Sequence, residues 1–314
     1  MSKCLFCYQL LKDNEIDFHK KCSKKIFGTE TAPLLNYTLS EMELLAKEVI
    51  EISISVPGVQ PKLSLSFIKE KLEDGTRGRL TVLEALGGNY ILKPQNIIFP
   101  QMPENEHLTM KLAELLGIQT VTSSLIRLKS GELSYITKRI DRASSNRKIH
   151  MLDMFQITEA FDKYKSSMEK VGKALNEYSS NTLLDVVRLY EVTVFSYLTG
   201  NNDMHLKNFS MILKGEDWVF SPAYDLLNVQ LHLPEDKEET ALTIGGKKSR
   251  LTKADFINLG LKFGLSERQI KNIFERFIKA EEKMMELISI SFLDQEKKKI
   301  YKDLLQQRIQ LFKV

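Results

Sequence analysis

Gly200-Asn201-Asn202-Asp203-Met204-His205-Leu206-Lys207-Asn208 lies between two apolar runs, Val186 to Leu198 and Phe209 to Leu213. A polar, amide-rich turn between two buried elements is a poor design for a mere connector. It gathers a carboxylate, three amides, an imidazole and an ammonium. Asp203 precedes Asn208 by the Asp-x4-Asn interval of kinase catalytic loops. That interval has a chemical reason. The carboxylate receives the proton of an attacking hydroxyl, and the amide oxygen reaches a metal on nucleotide phosphates. The plainer reading is a turn in which Asn and Asp side chains bond their own backbone.

Working outward, Phe209 to Leu213 and Trp218 to Phe220 flank the polar Lys214-Gly215-Glu216-Asp217 and predict a β-hairpin. Ser221-Pro222-Ala223-Tyr224-Asp225-Leu226-Leu227 follows. This puts Asp225 at the end of the hairpin, where a kinase carries its second metal carboxylate. Leu226 and Leu227 replace the Phe-Gly of the usual motif, and a helix N-cap is the competing role for Asp225. His205 falls where many protein kinases carry a lysine near the transferred phosphoryl group. It reads as a phosphate contact or a structural hydrogen-bonder, and Lys207 is the better-placed cation.

Upstream, Lys93 ends the apolar run Tyr90-Ile91-Leu92, as a nucleotide-binding strand lysine does. An edge lysine that blocks strand aggregation is the alternative. Gly87-Gly88-Asn89 predicts a turn joining two paired strands over residues 78–94. A helix is predicted over 104–116, with Leu108, Leu112, Leu115 and Leu116 on one face and Gly117 ending it. Glu106, or else Glu104, at its start would pair with Lys93; both would also favour the helix dipole. Gly58 is the sole glycine of a candidate phosphate loop with Ser53, Ser55 and Lys62 around it. That is neither a Gly-x-Gly-x-x-Gly nor a Walker sequence. A strand follows at Leu63, Leu65 and Phe67, which alternate with serines. Ser40 and Glu43 have capping-box spacing ahead of a helix. Strands are predicted at 121–128 and 135–140, and an exposed turn at Ser144-Ser145-Asn146. Residues 162–182 read as polar and solvent-facing, and 228–252 as an irregular, mobile segment where kinases place gating loops. Thr252 and Ser266 are candidate helix caps, and Ile270, Ile273, Phe274 and Phe277 line a core face.

Composition sets outer limits. The chain has 314 residues and is 43% hydrophobic, which fits a packed core in a two-lobed enzyme. Forty-five basic against 41 acidic residues give +4, too mild a balance to argue for nucleic acid. The sequence shows no apolar run of about 18 residues for a membrane span and no secretory leader, so a cytoplasmic protein is expected. The three cysteines all lie within the first 22 residues. They make no disulfide framework. Cys4-x2-Cys7 and His19-x2-Cys22 have the ligand types of a small zinc knuckle, and three reduced thiols are the plain alternative.

Together these motifs resemble the HipA-like toxin kinases of bacterial toxin–antitoxin systems. The match runs in order through Ser55-Val56-Pro57-Gly58-Val59-Gln60-Pro61-Lys62-Leu63, Tyr90-Ile91-Leu92-Lys93-Pro94, Glu104-Asn105-Glu106, the Asp203 loop and Tyr224-Asp225-Leu226-Leu227. It spans most of residues 50 to 312. The resemblance implies an α+β, two-lobed protein-kinase-like fold. Residues 1–30 would be a Cys-containing segment, 31–140 a β-rich N-lobe, and 141–314 a mostly helical C-lobe. It implies ATP and Mg²⁺ as cofactors, with Asn208 and Asp225 on the metal. Lys93 and the Ser55, Gly58, Gln60 and Lys62 segment would hold the phosphates, and backbone groups of Lys138 and Ile140 would meet the adenine edge. Ser55 would be an autophosphorylation site, with Ser53 second. A phosphate there adds about −2 charge to the loop that accepts ATP and would shut the enzyme off.

The family's extra N-terminal subdomain is missing from this reading, which implies the shorter HipT branch. The expected partners are a HipB-like DNA-binding antitoxin, a small HipS-like protein and, as substrate, an aminoacyl-tRNA synthetase, the tryptophan enzyme favoured. DNA would be met only through the antitoxin. The alternatives are a small-molecule kinase of antibiotic-phosphotransferase type, a nucleotide-binding pseudokinase scaffold and a zinc-dependent nucleic-acid binder.

Overall fold

A computed structural model describes residues 2–52, 62–72, 75–82, 88–143 and 147–313. Ser53, Ser55, Gly58, Gln60, Gly87 and the Ser144–Asn146 turn lie outside the described residues. The chain divides into two compact units. The first comprises 1–107, 121–146 and 290–292; the second comprises 108–120, 147–289 and 293–314.

The first unit is built on an antiparallel sheet. In chain order it has α1 (Lys20–Phe27), α2 (Leu39–Ile52), β1 (Leu63–Leu72), β2 (Gly75–Val82), β3 (Tyr90–Lys93), the start of α3 (Met102–Leu115), β4 (Ser123–Arg127) and β5 (Leu133–Lys138). The strand order is β2-β1-β3-β5-β4. This corrects the expected pairing across Gly87-Gly88-Asn89. β1 hairpins with β2 and then pairs its start with β3, Leu65 facing both Val82 and Tyr90. The two strands read as neighbours therefore have β1 between them. β3 is the middle strand, so Lys93 is no edge lysine. The cap of α2 is Thr38 with Glu41, not Ser40 with Glu43. The Glu41 carboxylate accepts from the Thr38 N–H at 2.6 Å, and the Thr38 hydroxyl accepts from the Glu41 N–H at 3.3 Å. The spacing is the predicted one, but the helix begins at Leu39 and selects the earlier pair.

The second unit holds the rest of α3, then β6 (Met151–Asp153), α4 (Met154–Ile157), α5 (Met168–Tyr178), α6 (Thr182–Leu198), β7 (Ser210–Lys214), β8 (Asp217–Phe220), α7 (Lys253–Lys262), α8 (Glu267–Lys279), α9 (Glu281–Ile290) and α10 (Gln295–Lys313). β6, β7 and β8 form a small antiparallel sheet. Thr252 and Ser266 each close a capping box, at α7 and α8. The core is aromatic: Tyr197, Phe256, Phe274 and Phe312 meet edge-on or tilted, with centroids 4.6–5.9 Å apart.

Two polar segments are better packed than their composition suggests. α5 lies inside the stretch read as solvent-facing, yet it buries Met168, Val171, Ala174 and Leu175. Those residues share one face at helical spacing, so a polar average conceals an amphipathic helix. Residues 228–252 are irregular but anchored rather than free. Ala241, Leu242, Ile244 and Leu251 are buried, and the Asn202 amide donates to the Asp236 carboxylate and the Glu238 carbonyl, both at 2.9 Å.

In this segment, burial holds the His232 imidazole down at a pKa of about 4. A folded-state value below the unfolded one, about 6.5, stabilises the fold above pH ~6.5. That stability is lost as pH falls towards 4. Urea unfolding at pH 7 and pH 4.5 should therefore show a steeper acid loss for wild type than for His232→Asn.

Candidate active site

α6 ends in a way that launches the Asp203 loop. Gly200 has φ 73° and follows the last helical residues. Its N–H donates to the Tyr197 carbonyl at 3.2 Å and that of Asn201 to the Ser196 carbonyl at 2.9 Å, a Schellman closure. A side chain at 200 is excluded twice. The left-handed φ penalises one, and an added Cβ would lie 2.6 Å from both Asn228 Oδ1 and Leu304 Cδ2. The Gly200 carbonyl also accepts from the Val229 N–H at 3.0 Å, tying the loop to the chain just beyond Asp225.

Within the loop the amides do the structural work. Asn201 Oδ1 accepts from the Asp203 N–H at 3.3 Å, and the Asn208 side-chain nitrogen donates to the Asp203 carbonyl at 2.9 Å. To that extent the turn does bond its own backbone. The Asp203 carboxylate is not spent this way. Its Oδ1 accepts from the Tyr164 hydroxyl at 2.7 Å. Since Asn208 commits its nitrogen, its amide oxygen is left as the acceptor. Asn201 Nδ2, Asn202 Oδ1 and His205 Nδ1 are buried without a hydrogen-bond partner among the described residues.

His205 is 6% exposed and stacks edge-on against Tyr164, with centroids 5.1 Å apart. Burial lowers its pKa, while the negative charges of both Asp203 and Asp225 pull the other way. One imidazole thus senses both carboxylates. Burial and the hydrogen bond to Asp203 push the Tyr164 phenol up, so Tyr164 stays a neutral donor. Lys207 is exposed, its ammonium 4.8 Å from the centre of the Phe155 ring.

Asp225 is brought alongside by its neighbour. The Tyr224 hydroxyl donates to the Lys207 carbonyl at 3.0 Å and shares a 2.5 Å hydrogen bond with the Ser210 hydroxyl. Residue 224 thereby reaches back to the chain on either side of Asn208. No described helix starts at Leu226, so Asp225 is not an N-cap. It sits instead at φ 59°, a left-handed conformation that costs a non-glycine residue about 1–2 kcal/mol.

The second cluster belongs to the first unit. Lys93 is 4% exposed and Glu106 1%, and they form an ion pair at 2.7 Å. The Tyr135 ring lies 5.5 Å from the same ammonium. Glu104 accepts instead from the Gln95 amide, at 2.9 Å to each oxygen. Lys62 is exposed at the start of β1. Lys138 gives its backbone N–H to the Thr122 carbonyl and its ammonium to the Lys25 carbonyl, at 2.9 and 3.0 Å. Ile140 follows in a turn.

Residues 54–285 match the model of the HipA-like C-terminal domain. The chain belongs to that family. A protein of Haemophilus influenzae named as a kinase is 27% identical over 94% of this chain and 93% of its own length. A kinase-named protein of Sinorhizobium fredii is 31% identical over 72% of this chain and 58% of its own. The serine/threonine-protein kinase toxin HipA of Shewanella oneidensis is 24% identical over 59% of this chain and 45% of its own. Among solved structures, HipA of Shewanella oneidensis, in a complex with HipB and operator DNA, superposes with a TM-score of 0.66 at 20% identity. It covers 84% of this chain and 70% of that one. The Helicobacter pylori kinase CtkA gives 0.54 at 12% identity, over 74% and 88%. The α+β fold is thus a kinase fold.

In this HipA-like chain two side chains at the site escape a reading of motifs. Tyr164 precedes Asp203 by 39 positions and carries no motif. Asp185 on α6 is fully buried, accepting from the Phe220 N–H at 2.7 Å and the Ser179 hydroxyl at 2.6 Å. It fixes the end of β8 ahead of Asp225. An acidic residue in an apolar helical run was the available signal. Among the described residues no helix is long and apolar enough to cross a membrane.

Proposed function

We propose that the chain is an ATP-dependent serine/threonine protein kinase of the toxin type. In this reading Asp203 takes the proton of the substrate hydroxyl, and Asn208 and Asp225 offer hard oxygen ligands to Mg²⁺. The Asn208 amide oxygen, left as the acceptor once its nitrogen is committed, and the Asp225 carboxylate are the ligand types such a group takes. When bound, the metal would neutralise charge on the nucleotide phosphates. Lys93, steadied by Glu106, orients those phosphates. Tyr164 holds the Asp203 carboxylate in place, and the His205 ring backs Tyr164 edge-on. Lys207 and the Ser55–Lys62 segment supply further phosphate contacts, and Lys138 and Ile140 the backbone edge for adenine. Ser55, or Ser53, is the proposed autophosphorylation site.

The observation that carries the reading is the Asn208 amide folded onto the Asp203 carbonyl. It keeps Asp203 and Asn208 on one turn, which supports reading them as base and metal ligand at the interval of kinase catalytic loops. The HipB complex of the Shewanella structure supports a HipB-like antitoxin as partner. A HipS-like companion, the HipT branch and an aminoacyl-tRNA synthetase as substrate, the tryptophan enzyme first, complete the proposal.

Phosphoproteomics of cells expressing this chain or Asp203→Ala tests it. One strongly enriched serine or threonine site, absent with the variant, is the expected result. ATP turnover with no protein site would overturn the protein-kinase reading in favour of a small-molecule kinase. No turnover at all would leave a scaffold.

The strained Asp225 gives a cleaner separation of roles. Asp225→Gly relieves the left-handed strain, about 1–2 kcal/mol that offsets part of the loss of its side-chain contacts. Phosphoryl transfer should nonetheless be lost. Retained transfer would remove Asp225 from the metal.

A further inference from the structure

The four candidate ligands of the N-terminal segment converge. Cys4 Sγ, Cys7 Sγ, Cys22 Sγ and a His19 ring nitrogen all lie within 4.8 Å of one another. His19 Nδ1 is 3.4 Å from Cys7 Sγ and 3.7 Å from Cys22 Sγ. A tetrahedral Zn²⁺ with bonds of about 2.3 Å to sulfur and 2.05 Å to nitrogen would set that edge at about 3.6 Å. The observed separations bracket it.

The imidazole is also in the right tautomer. Its Nε2 lies 2.9 Å from the Leu10 carbonyl, which can only accept, so Nε2 carries the hydrogen. Nδ1 then presents its lone pair to the sulfurs. The Glu15 carboxylate is 3.8 Å from the same Nε2, a second partner of the kind that raises the basicity of a ligating histidine.

The backbone is shaped for the same purpose. Residues 3–10 close a tight loop through the Lys3–Leu10 bridge, and Tyr8 is held at φ 64° between Cys7 and Gln9. His19 occupies the N-cap of α1 in extended conformation but makes no side-chain cap bond. Its ring turns to the thiols instead, and Cys22 sits in the first turns of the helix.

We propose that Cys4, Cys7, His19 and Cys22 bind one structural Zn²⁺, and that the knuckle so formed braces the frame around Lys93 and Glu106. The bracing contacts all fall in the first unit. The Tyr8 hydroxyl meets His107 Nδ1 at 2.9 Å, one residue beyond Glu106. The Tyr90 hydroxyl donates to the Ile26 carbonyl at 3.0 Å, at the start of the strand that ends in Lys93. The Leu5 carbonyl accepts from the Leu125 N–H at 3.3 Å, and Arg127 grips the Asp17 carboxylate at 3.0 Å. Without the ion, three thiols and an imidazole hold that loop only weakly. With it, the loop becomes a rigid cover over β3, β4 and the first turn of α3. This site is independent of the phosphoryl-transfer reading.

Full-length chain purified from zinc-supplemented cells should carry about one equivalent of zinc by mass spectrometry, and Cys22→Ser should carry almost none. Since that variant risks misfolding, His19→Cys is the control. It should keep the metal, and its Co²⁺ form should shift the visible bands from those of three sulfurs and one nitrogen to those of four sulfurs. Chelation should lower Tm by about 5 °C or more, restored by Zn²⁺ and not by Mg²⁺. Hydrogen exchange should then rise at 90–93 and 104–107 while α8 stays protected. Wild type with about 0.1 equivalents or less, a different metal, or a Tm indifferent to chelation would overturn the site. Unchanged exchange at 90–93 and 104–107 in the stripped protein would overturn the bracing.

Discussion

Asp203→Asn should lower the single-turnover rate of phosphoryl transfer by about 10²- to 10⁴-fold, the range for removing a positioned general base. The fold should survive. The amide oxygen of asparagine can still accept from the Tyr164 hydroxyl, as Asp203 Oδ1 does at 2.7 Å. The backbone carbonyl that anchors Asn208 is unchanged. Nucleotide binding should also persist, because Lys93 and Glu106 are untouched. The measurement is transfer from γ-labelled ATP beside a nucleotide titration and a thermal melt. A drop below tenfold would mean that Asp203 orients the hydroxyl without taking its proton.

Glu106→Ala should cost about 3–5 kcal/mol of stability, the usual consequence of removing one member of a buried ion pair. Lys93 is 4% exposed and its ammonium lies 2.7 Å from the Glu106 carboxylate, with the Tyr135 ring as an apolar neighbour. A cation in that position has little water to turn to. The double variant Lys93→Met/Glu106→Leu should recover most of the loss, since two apolar side chains replace a desolvated pair. Neither variant should bind nucleotide well. Unfolding and nucleotide titrations of both proteins separate the two effects. A double variant no more stable than Glu106→Ala would show that the pair is not what its burial implies.

The turn from Asp203 to Asn208 was legible because its residues meet over a fixed local interval. Asp203 and Asn208 belong to one turn, and local spacing decides how they meet. Glu106 and Glu104 show the limit. Both begin α3, and only the direction each side chain takes sends one to Lys93 and the other to Gln95. The strand pairing failed for a related reason. Apolar alternation marks a strand but does not name its neighbour, so β1 could come between β2 and β3 unannounced. Tyr164 was invisible because a hydroxyl 39 positions from Asp203 obeys no interval.

By itself the sequence determined the elements and the chemical inventory. Apolar periodicity marked α3, α8 and the β7–β8 hairpin, the Asp203 to Asn208 interval marked the loop, and the matches from residue 54 to 285 set the family. Tertiary structure decided which distant groups share an environment. It joined Lys93 to Glu106, let His205 sense both Asp203 and Asp225, twisted Asp225 into a left-handed turn, and gathered three thiols around His19. The physical reason is range. Periodicity and capping act over a few residues, whereas the energy of a buried charge or an orphaned polar atom depends on whatever the whole fold packs beside it.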